Sequence, residues 1–224
     1  MAEKLRYEPG LDMTALIPTL RERDVAIRPV RLRDARLLER ELLDNRAWLR
    51  RWEATNPVGP MNFDVRGSIR NLLSHARDGF GLPFIIEHEG QLAGQLNVSS
   101  IAYGSVSSAT IGYWVSERFA GKGVTPTAVG LATDHCFFTM GLHRMEICIR
   151  PENEPSLRVV EKLGFRYEGL RRRYIHINGD WRDHFCFALT VDEVPSGVVS
   201  RWKNGLVPVG QGVVPERDRK LALG

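Results

Sequence analysis

Apolar and polar positions alternate along some stretches of the chain and recur at helical spacing along others. Met145, Ile147 and Ile149 alternate with Glu146, Cys148 and Arg150, so residues 143–150 predict a strand with two unlike faces. Val25 to Val30 and Ser108 to Val115 predict two more strands. Pro83–His88 and Gln91–Val98, joined at Glu89-Gly90, predict a hairpin, and residues 167–189 predict another that turns at Asn178-Gly179. Helical spacing appears over residues 35–44, with Asp34 as the expected cap, and over 64–77. From Pro126 to Met140 the apolar residues Val129, Ala132, Cys136, Phe137 and Met140 fall on one stripe that stops at Gly141. Asn153 is placed to cap a short helix that ends at Gly164. Trp48 and Trp52, four apart, would share one helix face, where core packing is expected and the wall of a substrate groove is the alternative. Consecutive strands suit antiparallel pairing, while strand, helix, strand over 108–150 implies one parallel crossover. The pattern is α+β.

The stretch Val115 to Pro126 joins a strand to a helix through Arg118, Gly121, Lys122 and Gly123. Glycines let a backbone turn and approach a ligand, and the free N–H groups and dipole of the following helix favour an anion. Thr125 is the expected cap and Pro126 the first helical residue. A P-loop would need Gly at 116 and Ser or Thr after Gly-Lys, where Ser116 and Gly123 stand. A dinucleotide fingerprint starting at Gly121 would need Gly or Ala where Pro126 stands.

Composition narrows the setting. The chain has 224 residues, 43% hydrophobic and 26% charged, which suits a globular protein. The expected layout is an arm over 1–24, one domain over 25–192, and a poorly packed extension over 193–224 containing Gly, Pro and charges. A net charge of +4 suits an acidic ligand or partner. Arg171-Arg172-Arg173 lacks interleaved stacking aromatics, so no direct nucleic-acid specificity is expected. Three cysteines without a C-x-x-C pair point to a reducing compartment. The beginning lacks a signal-peptide core, and no apolar run approaches membrane-spanning length, so a cytoplasmic protein away from membranes is expected.

Two motifs carry a resemblance. Arg118-x-x-Gly121-x-Gly123 is followed, after a helix and a strand, by Asn153-x-x-Ser156 and a short helix ending Leu163-Gly164-Phe165. Together they resemble the GCN5-related N-acetyltransferases over roughly residues 25–190. The early Leu49-to-Trp52 segment and the late hairpin are similar to the RimJ/RimL branch, which acetylates the α-amino group of ribosomal proteins. The resemblance implies a mixed, mostly antiparallel sheet, splayed at the acetyl-coenzyme A site and flanked by helices. It implies acetyl-coenzyme A as cosubstrate and no metal. The N–H groups of Gly121, Lys122, Gly123, Val124 and Thr125 would hold the pyrophosphate, with charge from Arg118 and Lys122. The backbone of Trp114, Val115 and Ser116 would pair with the pantetheine arm and polarise the thioester. Asn153 would bind that arm, and Ser156 would protonate the leaving thiolate.

The base is open. The family's glutamate position falls on Cys148, so Glu146 is the candidate, with His176 or Tyr174 as alternatives. An α-amine with a pKa near 8 needs no strong base. The expected reaction is direct attack in a ternary complex, on a protein N-terminus such as that of a ribosomal protein. A small-amine acetyltransferase (antibiotic or polyamine) and a non-catalytic acyl-coenzyme A sensor are the alternatives. A homodimer is possible, being common in this branch.

Overall fold

The computed structural model describes residues 17–58 and 63–223. Most of the expected arm, and part of the break after Asn56, lie outside them. Eight strands form one open sheet: β1 (Leu20–Glu22), β2 (Val25–Pro29), β3 (Leu82–His88), β4 (Gln91–Ala102), β5 (Ser108–Val115), β6 (Arg144–Ile149), β7 (Arg166–Ile177) and β8 (Asp180–Thr190). Their order is β1-β2-β3-β4-β5-β6-β8-β7. Every neighbouring pair is antiparallel except β5 and β6, which are joined by the crossover helix and run parallel. This is the mixed, mostly antiparallel sheet that the sequence implied.

Helices cover both faces because β3 is apolar on both. Phe84 and Ile86 face a core shared with α4 (Val124–Asp134), through Ala128, Val129 and Ala132. Ile85 points the other way and packs with Leu38 of α1 (Ala35–Asp44) and Ile69 of α3 (Val65–Arg77). Asp64 caps α3, its Oδ1 accepting from the Gly67 N–H at 2.7 Å. Asn153 caps α5 (Glu154–Leu163), which stops at Gly164 with φ 72°.

Five expectations need correction. Asp34 does not cap α1 with its side chain. Its carboxylate instead accepts from Arg28 at 2.8 and 3.0 Å and from the Arg31 N–H at 2.7 Å, an ion pair that outcompetes a neutral cap. Thr125 does not cap α4. Gly123 does so in the left-handed region (φ 78°), which places Thr125 and Pro126 inside the first turn. That helix is buried on nearly every side rather than along one stripe, and it widens into a π turn over His135–Thr139. Trp48 lies in the single-turn helix α2 (Arg46–Leu49), which ends before Trp52, so the two rings share no helix face.

The fifth correction concerns the C-terminal extension, which is well packed. It holds α6 (Val198–Lys203) and α7 (Glu216–Leu223), and Val198 and Val214 are buried in the main core. Arg201 donates to the carbonyl oxygen of Leu163 at 2.5 Å. Tyr167 donates to Asp218 at 2.9 Å. The Asp134 carboxylate accepts from the N–H groups of Val198 and Val199, at 2.6 and 3.2 Å, capping α6 from a distant part of the chain. Asp134→Ala is therefore expected to destabilise this helix by about 1 kcal/mol, read as faster amide exchange over 198–203 while β3 and β4 stay protected.

Candidate active site

Strands β5 and β6 pair only where Ser108, Ala109 and Thr110 meet Arg144, Met145 and Glu146. Beyond that point β5 remains paired with β4 and β6 with β8, so the two strands part. The edge of β5 facing β6 is left open over Ile111 to Val115. Two cavities occupy the wedge. The larger, about 490 Å³, has apolar walls that include Ile69, Ile147 and Ile175, with Glu53, Asp64, Asn97, Cys148, Arg150 and His184 among its polar lining. The smaller, about 150 Å³, runs along the loop past Val115, Gly121, Gly123, Val124 and Thr125. Both are lined by Leu49, Trp52, Tyr113, Trp114, Asn153 and Ser156, so the cavities meet there. The tryptophans thus form a groove wall, the alternative role.

The loop's shape follows from its glycines. Gly121 and Gly123 have φ of 76° and 78°, which side-chain-bearing residues rarely adopt. The N–H groups that begin α4 have no partner within the helix, and Val124 and Thr125 line the smaller cavity. Lys122 does not line it; its Nζ lies 5.8 Å from the Phe119 ring. Arg118 is also turned aside, stacking on Phe119 at 4.8 Å and donating to Glu41 Oε1 at 2.6 Å. The Ser116 hydroxyl is fully buried and donates to Glu41 Oε2 at 2.6 Å. The Val115 carbonyl accepts from Trp48 Nε1 at 3.1 Å.

Sequence reasoning missed Glu41. It lies on α1 and fastens both sides of the loop entry to a second element. Only its burial among helix residues that are mostly exposed marks it, and burial is not visible in sequence. Glu41→Ala is expected to cost about 2 kcal/mol, read as a lower denaturant midpoint with unchanged slope. Glu41→Gln, which keeps an acceptor for Ser116, should cost less.

At the junction, Asn153 Oδ1 accepts from the Ser156 N–H at 3.3 Å. The cap therefore uses Ser156's backbone and leaves its hydroxyl free for other work. The Tyr113 hydroxyl faces that of Ser156 but is buried without a full hydrogen bond. Burial pushes its pKa up to about 12, slightly offset by Ser156, so it stays protonated. Asn97 Oδ1 is a second buried atom without a partner, and it lines the larger cavity.

The structure separates the expected bases from this junction. Glu146 lines neither cavity; it accepts from Arg144 Nε at 2.9 Å and Arg171 Nη2 at 3.2 Å. His176 Nδ1 lies 2.7 Å from the Thr55 hydroxyl, and Tyr174 is largely exposed and accepts from Arg171 at 3.1 Å. Neither lines a cavity. His184, which sequence reasoning passed over, is 3% exposed and lines the larger cavity. Its Nδ1–H donates to the Arg182 carbonyl at 3.0 Å, which leaves Nε2 as the basic nitrogen. Burial lowers its pKa below the usual histidine value, so it is neutral near pH 7. The period of two in β8 was a usable signal, since it sets His184 on the face of Cys186, the partner of Cys148.

A splayed sheet with a glycine loop at a helix start and a second chamber behind a serine defines a scaffold for group transfer from a phosphate-bearing donor. The family model "Acetyltransferase (GNAT) domain" matches residues 24–166. The chain belongs to this family and is an N-acetyltransferase. A solved structure titled Mycobacterium smegmatis RimJ in complex with CoA-disulfide is 38% identical, with TM-score 0.78, covering 84% of this chain and 93% of that one. The [Ribosomal protein uS5]-alanine N-acetyltransferase of Escherichia coli is 28% identical over 77% of this chain and 91% of its own length. The Spermidine N(1)-acetyltransferase of Escherichia coli is also 28% identical, over 71% and 82%. A probable N-acetyltransferase, YjcK of Bacillus subtilis, is 39% identical over 45% of this chain, and the match spans only 56% of YjcK. Among the described residues no cluster of three or more His, Cys, Asp or Glu could hold a metal ion, and no helix is long and apolar enough to cross a membrane.

Proposed function

We propose that the protein transfers the acetyl group of acetyl-coenzyme A to the N-terminal α-amine of a protein by direct attack in a ternary complex. The observation that carries this reading is the meeting of two cavities at Ser156, one along the anion loop and one large enough for the first residue of a peptide. The N–H groups of Gly121, Gly123, Val124 and Thr125 hold the pyrophosphate. The edge of β5 left by β6 pairs with the pantetheine arm at the Val115 N–H, since the Val115 carbonyl is held by Trp48 Nε1 and Trp114 pairs with Gln95 of β4. Ser116 and Arg118 act indirectly, by fixing the loop through Glu41, and Lys122 contributes only long-range charge. Bound acetyl-coenzyme A supplies the activated thioester. Ser156 donates its proton to the leaving sulfur, with Tyr113 next to it. His184 Nε2 accepts the proton of the acceptor ammonium, in place of Glu146.

The choice of a protein acceptor draws on two observations. The walls of the larger cavity are mostly apolar, which suits an uncharged first side chain, and the two carboxylates that also line it, Glu53 and Asp64, are already engaged by Arg46 and by the Gly67 N–H. The relative named for a ribosomal protein, moreover, matches a larger share of this chain (77%) than the one named for spermidine (71%). Thiol release with peptides beginning Ala, Ser or Met, set against spermidine and an aminoglycoside, tests the reading. Turnover with peptides supports it, and turnover confined to small amines overturns it. The base assignment has its own test. In the wild type, kcat/KM should show two limbs, a rise below the usual histidine value of about 6.5 as His184 becomes neutral and a fall near about 8 as the α-ammonium that it deprotonates is lost. His184→Gln should lose the lower limb and about 10²-fold in kcat/KM. An unchanged two-limb profile would remove His184 from the mechanism.

A further inference from the structure

Cys148 of β6 and Cys186 of β8 are direct cross-strand partners whose Sγ atoms stand 3.0 Å apart. Both are free thiols. Cys148 lines the larger cavity, while Cys186 lies behind it at 7% exposure. The guanidinium of Arg171 approaches Cys148 Sγ at 3.7 Å. Once one proton is lost, the thiolate is stabilised by the remaining S–H and by that positive charge. The S–H donated by Cys148 holds the Cys186 thiol below its usual range. The third cysteine, Cys136, is fully buried in the core, where burial pushes its thiol up to about 12. The transfer chemistry uses neither sulfur of the pair, yet the pair occupies the wall of the proposed acceptor chamber.

We propose that Cys148 and Cys186 are a dithiol modification site that closes to a reversible disulfide by exchange with a small disulfide entering through the larger cavity. The contact with Cys186 and burial raise the Cys148 thiol, so the proton that the pair keeps must pass to Cys186 before Cys148, the more open sulfur, attacks one sulfur of the incoming molecule as the thiolate. That molecule's S–S bond breaks, and its first half leaves as a thiolate that takes up a proton. Cys186 then attacks Cys148 and displaces the second half. The protein loses two electrons and two protons, and the small disulfide gains both and departs as two thiols. Closure needs the sulfurs to approach by about 1 Å, to a bond of about 2.05 Å. With Cys186 already in place, the intramolecular step outruns accumulation of the mixed adduct. Closure also removes a polar S–H from the acceptor wall. Neither sulfur lines the smaller cavity at the loop, so coenzyme A binding should be untouched. This functional consequence rests on the proposed function; the covalent chemistry does not.

The test incubates the full chain with hydroxyethyl disulfide, which carries no amine to be acetylated, and follows intact mass and thiol alkylation. The expected result is a loss of about 2 Da, protection of Cys148 and Cys186 together, alkylation of Cys136 after unfolding, and reversal by dithiothreitol. Cys148→Ser should abolish the mass loss, and Cys186→Ser should stop at a mixed adduct on Cys148. A stable mixed adduct on the wild type, or no change, overturns the site. In the closed form the acceptor-peptide KM should rise on the order of threefold, with coenzyme A affinity unchanged. Closure without a KM change overturns the link to the acceptor wall. Closure of a chain that turns over nothing in either redox state leaves the dithiol standing and removes the acetyl-transfer reading.

Discussion

Ser156→Ala is expected to lower kcat for acetyl transfer by about 10²-fold while leaving the fold and coenzyme A affinity intact. The separation is possible because the cap of α5 uses the Ser156 N–H, at 3.3 Å from Asn153 Oδ1, and leaves the hydroxyl uncommitted. Alanine keeps that N–H and removes only the oxygen at the meeting point of the two cavities. A thiolate leaving without a nearby donor must take its proton from water, and the loss falls on the chemical step. Tyr113→Phe sharpens the test, because the Tyr113 hydroxyl is protonated, buried and next to Ser156. If the two hydroxyls act on one leaving group, the double variant should lose less than the sum of the two losses. Full kcat in Ser156→Ala, with a large loss in Tyr113→Phe, would move the donor to Tyr113.

Gly94→Val is expected to be the most damaging single change outside the chemistry. Gly94 faces Val115 across the β4–β5 ladder. A Cβ there would meet the Trp114 carbonyl oxygen at 2.1 Å and the Val115 Cα at 2.9 Å, both of them backbone atoms that cannot swing away. The strand must shift, and β5 carries Tyr113, Trp114 and Val115, which line the smaller cavity. The expected cost is at least about 3 kcal/mol, or about 6–12 °C in Tm for a domain of this size. Coenzyme A binding should fall with it. Gly112→Ala on the facing strand is the control, since nothing lies within 4 Å of a Cβ there; its cost should stay below about 1 kcal/mol. Equal losses in the two variants would show that strand flexibility, and not the close approach at Val115, makes Gly94 necessary.

The sequence by itself determined the elements and the parts of the site that lie close together in the chain. Alternation in residues 143–150, the turn at Asn178-Gly179 and the stop at Gly164 are local chemistry, and they produce β6, the late hairpin and the end of α5. The glycines of the loop and the Asn153–Ser156 pair were legible for the same reason: a left-handed backbone and a cap are each set within a few residues. Where a long-range partner competes, local rules lose. Asp34 leaves its cap for Arg28, and Arg118 and Ser116 turn from the loop to Glu41, more than seventy residues away. The extension looked loose because its caps and buried contacts, such as Asp134 and Leu163, come from distant elements. Only the tertiary structure decided that β5 parts from β6, that two cavities meet at Ser156, and that His184 lines the larger cavity where Glu146 does not. Those outcomes depend on which strands pair and where pairing stops, a balance of contacts over the whole sheet that no short stretch encodes.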